Sequence, residues 1–81
     1  MQFFYVYILQ SGLETEHYYV GRTENLNTRL KKHNAGEIPH TAKFRPWHVK
    51  SAIAFNEAKR ALEFERYLKT ASGRTFSKKR L

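Results

Sequence analysis

Eighty-one residues, no cysteine and a formal net charge of +8 set the first limits. A chain this short is expected to form one compact domain, residues 1–81, with a thin core that its six phenylalanines, five tyrosines and single tryptophan must largely fill. Without cysteine, a disulfide framework, a thiolate zinc site and a cysteine nucleophile are excluded.

Met1-Gln2-Phe3-Phe4 has no basic segment leading into a long apolar stretch, and the run from Phe3 to Leu9 is too short to span a membrane. A soluble cytoplasmic protein, monomeric or weakly dimeric, is the expectation. Residues 1–42 balance four basic against four acidic side chains, whereas residues 43–81 hold eleven against three. One-sided positive charge favours a polyanion through phosphate contacts and counterion release, so nucleic acid is the leading partner, with DNA the first candidate. A solubilising surface or a general RNA contact is the plain alternative. All seven acids are glutamates. A two-metal carboxylate cluster is hard to assemble from so few, and one ion on one glutamate, completed by water and phosphate oxygens, is simpler.

In chain order, Phe3-Phe4-Tyr5-Val6-Tyr7-Ile8-Leu9 is aromatic and β-branched and predicts a buried strand. Ser11-Gly12 begins a polar turn, and His17-Tyr18-Tyr19-Val20-Gly21 predicts a second strand in an antiparallel hairpin. Thr23 is a suitable cap for a helix from about Glu24 to Asn34, with Gly36 as its stop. Residues 36–47 contain both prolines and read as a loop. Trp47 to Phe55 predicts a third strand, Asn56 a cap, and Glu57 to about Lys69 a second helix that Ser72-Gly73 breaks before a short basic helix. The order is β-β-α-β-α-α, a small α/β or α+β domain.

On the first helix Leu26 and Leu30 mark the inward stripe, and Arg29 and His33 fall beside them at i, i+4. A cation aimed at the domain body is costly unless answered. Periodicity alone favours the plainer picture, with Arg29 reaching solvent and His33 filling space near the helix end, where a cation suits the dipole. On the second helix Glu65 sits inside the apolar face of Ala58, Ala61, Leu62 and Leu68. Such a glutamate is paired, protonated or bound to metal, and a salt bridge to an arginine or to Lys69 is as good a reading as a metal. Tyr5 and Tyr7 share a face of the first strand, and Tyr18 and Tyr19 take opposite faces of the second. Strand tyrosines are usually packing residues, although a phenol beside cations can handle a proton.

Tyr5-Val6-Tyr7, Tyr19-Val20-Gly21, Arg29 and His33 on the following helix, and Phe64-Glu65-Arg66-Tyr67-Leu68-Lys69 resemble the GIY-YIG nuclease superfamily. Ser72-Gly73-Arg74-Thr75-Phe76 with Lys78 and Lys79 resembles the tail of its small stand-alone bacterial members. The resemblance implies a three-stranded antiparallel sheet flanked by helices and a metal-dependent endonuclease acting on the phosphodiester backbone. It implies that Tyr7 and Tyr19 line the site, one activating the attacking water directly or through a second water. It further implies that Arg29 binds the scissile phosphate, His33 assists proton transfer, and Glu65 holds one Mg²⁺ or Mn²⁺. Tyr5 replaces the first glycine of the family's name motif, and a late asparagine of several members has no counterpart after Asn56. Arg22, His40, Lys43, Arg45, Lys69, Arg74, Lys78 and Lys79 are candidate nucleic-acid contacts. The competing readings are a module that binds nucleic acid without cutting it, stacking bases on Phe44, Trp47 or Phe76, and a module that cuts only with a helper protein.

Overall fold

A strand covered on both faces has to be apolar at successive positions, and the first predicted strand is the one that meets this condition. In the computed structural model, which describes residues 2–81, β1 (Phe4–Ser11) lies in the middle of a three-stranded antiparallel sheet ordered β2-β1-β3. Met1, part of the N-terminal segment read above, lies outside the described residues. The hairpin partner is β2 (Tyr18–Thr23), in register Tyr7↔Gly21 and Leu9↔Tyr19. The other edge is β3 (Trp47–Phe55), in register Tyr7↔Ala52 with an irregularity between Ile8 and Leu9. Alternation along β1 divides the core. Val6 and Ile8 join Ala61 and Leu68 on one side, whereas Tyr7 and Leu9 join Trp47 on the other.

The first helix, α1 (Leu26–Asn34), starts two residues later than expected and is capped by Asn25, whose side chain accepts from Thr28 N at 3.0 Å. Thr23 is still strand, and its hydroxyl closes the entering turn by accepting from Asn25 N at 3.1 Å. Gly36 is the expected stop, at φ 78 just past the end of α1. The segment read as loop contains one further helical turn, α2 (Pro39–Ala42), with proline at its start. Downstream, α3 (Ala58–Leu68) has Glu57 rather than Asn56 as its N-cap, and that carboxylate pairs with Arg60 at 3.0 Å. The break before α4 (Ala71–Arg80) falls at Lys69–Thr70, because the Thr70 hydroxyl caps α4 by accepting from Gly73 N at 3.0 Å. Ser72 and Gly73 therefore begin a helix and do not end one.

Two polar clamps hold the helix ends against β3. Asn34 donates to Trp47 O at 3.0 Å and accepts from Trp47 N at 2.6 Å. The Trp47 indole donates to Thr41 O at 2.8 Å, so α2 hangs from the start of β3.

The α3–α4 junction is closed so tightly that a Cβ at Gly73 would strike the Tyr67 carbonyl. Gly73→Ala is therefore expected to destabilise the protein by ~1–3 kcal/mol or more, as overpacking against backbone does. Ser72→Ala, at an exposed neighbour, should change little. Urea unfolding followed by circular dichroism compares the two, and equal midpoints would contradict the packing argument.

Candidate active site

Tyr7 comes from the middle of β1 and is buried to 1% exposure, with its hydroxyl 3.0 Å from His33 Nε2. That reach is possible because Gly21 lies opposite Tyr7 on β2, where a Cβ would collide with the phenol oxygen. His33, in the last turn of α1, is fully buried, and its Nδ1 lies 2.8 Å from Thr41 Oγ1. Thr41, buried on α2, in turn donates to Ile38 O at 3.3 Å. The half-buried Tyr19 ring packs edge-on against the His33 ring at 4.9 Å and against Tyr7 at 6.3 Å. Among the described residues no buried side-chain nitrogen or oxygen lacks a partner.

Burial is the main cause pushing Tyr7 up to about 12, with Tyr19 adding to it and the Arg29 guanidinium pulling the other way. Burial also lowers His33, and the Arg29 charge lowers it further. His33 is thus held neutral, which corrects the expectation that it serves α1 as a dipole-compensating cation. Arg29 is half-buried, and among the described residues no carboxylate lies within ion-pair distance of its guanidinium.

Glu65 stands across β2 from this group. Alternation along β2 turns Arg22 toward α3, where its Nε meets Glu65 Oε1 at 3.0 Å, and Lys69 Nζ meets Oε2 at 3.1 Å. Burial would raise the Glu65 pKa, but the bonds and charges of Lys69 and Arg22 outweigh it and hold the carboxylate below its usual range. The salt-bridge reading of Glu65 is thereby realised with both of its named partner types.

The carboxylate is ionised, and each oxygen receives one bond, which leaves lone pairs for a hard cation. Among the described residues no cluster of three or more histidine or carboxylate groups stands ready for a metal. The donor that this region offers a divalent ion is the single Glu65 carboxylate.

Two clefts flank the Glu65 bridge. One, of about 550 Å³, lies between the starts of α1 and α3 and is lined by Arg22, Arg29 and Lys32. The other, of about 650 Å³, is lined by Tyr18, Tyr19, Lys50, Lys69, Arg74 and Lys78. Of the candidate contacts, Lys69, Arg74 and Lys78 thus share one cleft with Tyr19, and Arg22 opens on the other with Arg29. His40, Lys43 and Arg45 are exposed on or just after α2, and Lys79 is exposed on α4. Arg45 is tied to Ala42 O at 2.6 Å. Lys32 and Lys50 escaped notice in the sequence because surface lysines on a helix and a strand carry no periodic signal.

The base-stacking surface of the competing binding-module reading is corrected. Trp47 is 4% exposed and bonded through its indole, Phe44 is half-buried beneath the His17 ring at 3.9 Å, and Phe76 packs on Phe64 and Tyr67. No helix among the described residues is long and apolar enough to cross a membrane.

The family model described as GIY-YIG catalytic domain matches residues 3–80 of the chain. Among solved structures, the chain is similar to the solution NMR structure of a UPF0213 protein from Bacillus halodurans, at 29% identity and a TM-score of 0.56. That match covers 96% of this chain and 81% of the other. No curated protein matches the chain.

The buried pair makes stability depend on pH in a fixed direction. The folded pKa of His33 lies below its ordinary 6.5, so on acidification the unfolded chain takes up the proton first. Stability from this group is complete above about 6.5 and falls as pH drops toward the folded value. Tyr7 acts at the other end: the folded state keeps its proton from 10.0 to about 12, and stability is lost as pH rises through that window. Thermal melts at a series of pH values below neutrality should show His33→Gln with a shallower slope than wild type, whatever its absolute stability. An unchanged slope would place the acid sensitivity elsewhere.

Proposed function

Since the chain belongs to the GIY-YIG catalytic domain family, we propose that it is a metal-dependent endonuclease hydrolysing phosphodiester bonds in nucleic acid, DNA foremost. The observation that carries this reading is the Arg29 guanidinium, with no carboxylate partner among the described residues, beside a buried phenol that has a proton outlet in His33.

In the proposed reaction the attacking water gives a proton to the Tyr7 oxygen, directly or through an intervening water. The proton already on that oxygen moves 3.0 Å to His33 Nε2. The water oxygen bonds to phosphorus, the bond to the leaving oxygen breaks, and that oxygen takes a proton from solvent. Neutral His33 is the form that can accept, and its lowered pKa keeps it in that form. Arg29 answers the charge that develops on the phosphate, where a planar fork outperforms a point charge. Tyr19, half-buried beside His33, lines the approach. Glu65 would hold one Mg²⁺ or Mn²⁺, which when bound supplies charge stabilisation at a phosphate oxygen. Arg22 and Lys32 on one side of the Glu65 bridge, and Lys50, Lys69, Arg74 and Lys78 on the other, attract the flanking backbone without reading bases.

One observation favours a binding module that does not cut: in this structure both Glu65 oxygens are already engaged by Arg22 and Lys69. Those cations are 39% and 54% exposed, so the pairs contribute at most ~1 kcal/mol each, and an ion can compete for the carboxylate.

Cleavage of labelled single-stranded, duplex and branched DNA and of RNA, with Mg²⁺, Mn²⁺ or EDTA, tests the reading. Arg29→Ala should keep the fold and lose cleavage by on the order of 10²-fold or more, and Arg29→Lys should recover little of it. Glu65→Gln should abolish divalent-dependent cleavage while the melting temperature moves by no more than a few degrees, as expected for exposed partners. Near-normal turnover in Arg29→Ala, with its circular dichroism intact, would return Arg29 to the surface and leave the binding module standing.

A further inference from the structure

The Thr41 hydroxyl plays no part in the function proposed so far, yet it is buried at 1% exposure and lies 2.8 Å from His33 Nδ1. Which ring nitrogen of His33 carries the proton decides whether Nε2 can receive one from Tyr7, and counting protons along the chain settles it.

Suppose the proton is on Nε2. It then points at the Tyr7 oxygen, the Thr41 hydroxyl donates to Nδ1, and the phenol proton of Tyr7 has no other acceptor among the described residues. Arg29, which stands close to that oxygen, only donates and takes no proton. Suppose instead the proton is on Nδ1. Tyr7 O–H then donates to Nε2, Nδ1–H donates to Thr41 Oγ1, and Thr41 O–H donates to Ile38 O at 3.3 Å. Every proton finds an acceptor within the protein in the second arrangement alone, and an unmet donor in a buried pocket is costly. The backbone makes it possible by turning once at α2, where Ile38 O also receives Thr41 N and Ala42 N, both at 3.1 Å.

We infer that Thr41 is the positioning residue of this site: it accepts the Nδ1 proton of His33, which fixes the tautomer that leaves Nε2 open to the proton of Tyr7. It acts through His33 and touches no reacting atom. The role in cleavage rests on the function proposed above, but the tautomer does not, and the experiment separates them.

In protein labelled with ¹⁵N on its histidine rings, NMR at about pH 8, where an ordinary histidine is neutral, should show His33 protonated on Nδ1. In Thr41→Val, which keeps the shape and removes the hydroxyl, each tautomer leaves one donor unmet, the Nδ1–H or the Tyr7 O–H, so the proton should divide between the two ring nitrogens. Cleavage in that variant should fall on the order of 10²-fold in kcat with KM unchanged, the lower range of what a positioned base contributes. Thr41→Ser should restore both the Nδ1 proton and the rate.

An Nε2 proton on His33 in the wild type overturns the inference on its own, even if Thr41→Val fails to fold. A Thr41→Val protein with the wild-type tautomer and wild-type cleavage overturns it equally. Expected spectra in all three proteins with no cleavage in any would support Thr41 as the group that sets the tautomer and reject the nuclease.

Discussion

The hydrogen bond from Tyr7 to His33 joins the central strand of the sheet to the last turn of α1 in the buried interior of this face. In such surroundings a satisfied polar contact is strong and a broken one is expensive, so neither element can slide without losing it. Each end of the bond makes a demand on another part of the chain. The phenol reaches across β2 because position 21 has no side chain to stop it. The far nitrogen of the imidazole needs a partner, and α2 brings Thr41 to it. Thr41 is itself held by the Trp47 indole on its carbonyl, and Trp47 by the Asn34 side chain on its backbone. The path returns to α1, whose final residue is Asn34. The apolar residues on this side fill space, whereas the polar circuit decides where α1 stands over the sheet.

That circuit explains which features were legible in the sequence. β1 was legible because a strand covered on both faces must read as an unbroken apolar run, and Phe4 through Leu9 does. Helical period set Arg29, His33 and Glu65 on inward faces, but it favoured solvent reach for Arg29, space-filling for His33 and a salt bridge no less than a metal for Glu65, and only the family resemblance gave them roles. The cap positions were not: Thr23 and Asn25 are both good caps, and their choice depends on where β2 releases the chain. α2 was invisible because a four-residue helix has no period to read. Thr41 was invisible for a different reason. Nothing local distinguishes a threonine beside Lys43 from any other loop threonine, and its importance comes from His33, eight positions earlier. Trp47 misled because tryptophan is at home both in cores and on stacking surfaces, and only the Thr41 carbonyl decides between them here.

Charge is distributed with similar economy. Fifteen basic side chains on so small a body repel one another, seven carboxylates oppose them, and a surplus of eight positive charges remains. Glu65 is placed where one carboxylate moderates two cations at once, Arg22 at the edge of one cleft and Lys69 at the edge of the other. It therefore divides the basic surface into two lobes, each still cationic, on either side of β2.

Arg29 is a half-buried cation that this arrangement leaves without a carboxylate partner among the described residues. Its field lowers the His33 pKa and opposes the rise at Tyr7. A structural arginine in such a place would be expected to have found a carboxylate, since part of its hydration is lost and the neutral Tyr7 oxygen beside it replaces little of that. The ionised Glu65 carboxylate has its bonds committed across β2. The folded chain thus carries an electrostatic debt at one point, on the wall of a cleft shared with Arg22 and Lys32. A bound phosphate would discharge it, and more negative charge on the phosphate oxygens would discharge it further. Because that charge grows as a fifth bond forms at phosphorus, the same unmet guanidinium that costs the free protein stability would favour the transition state over the bound substrate.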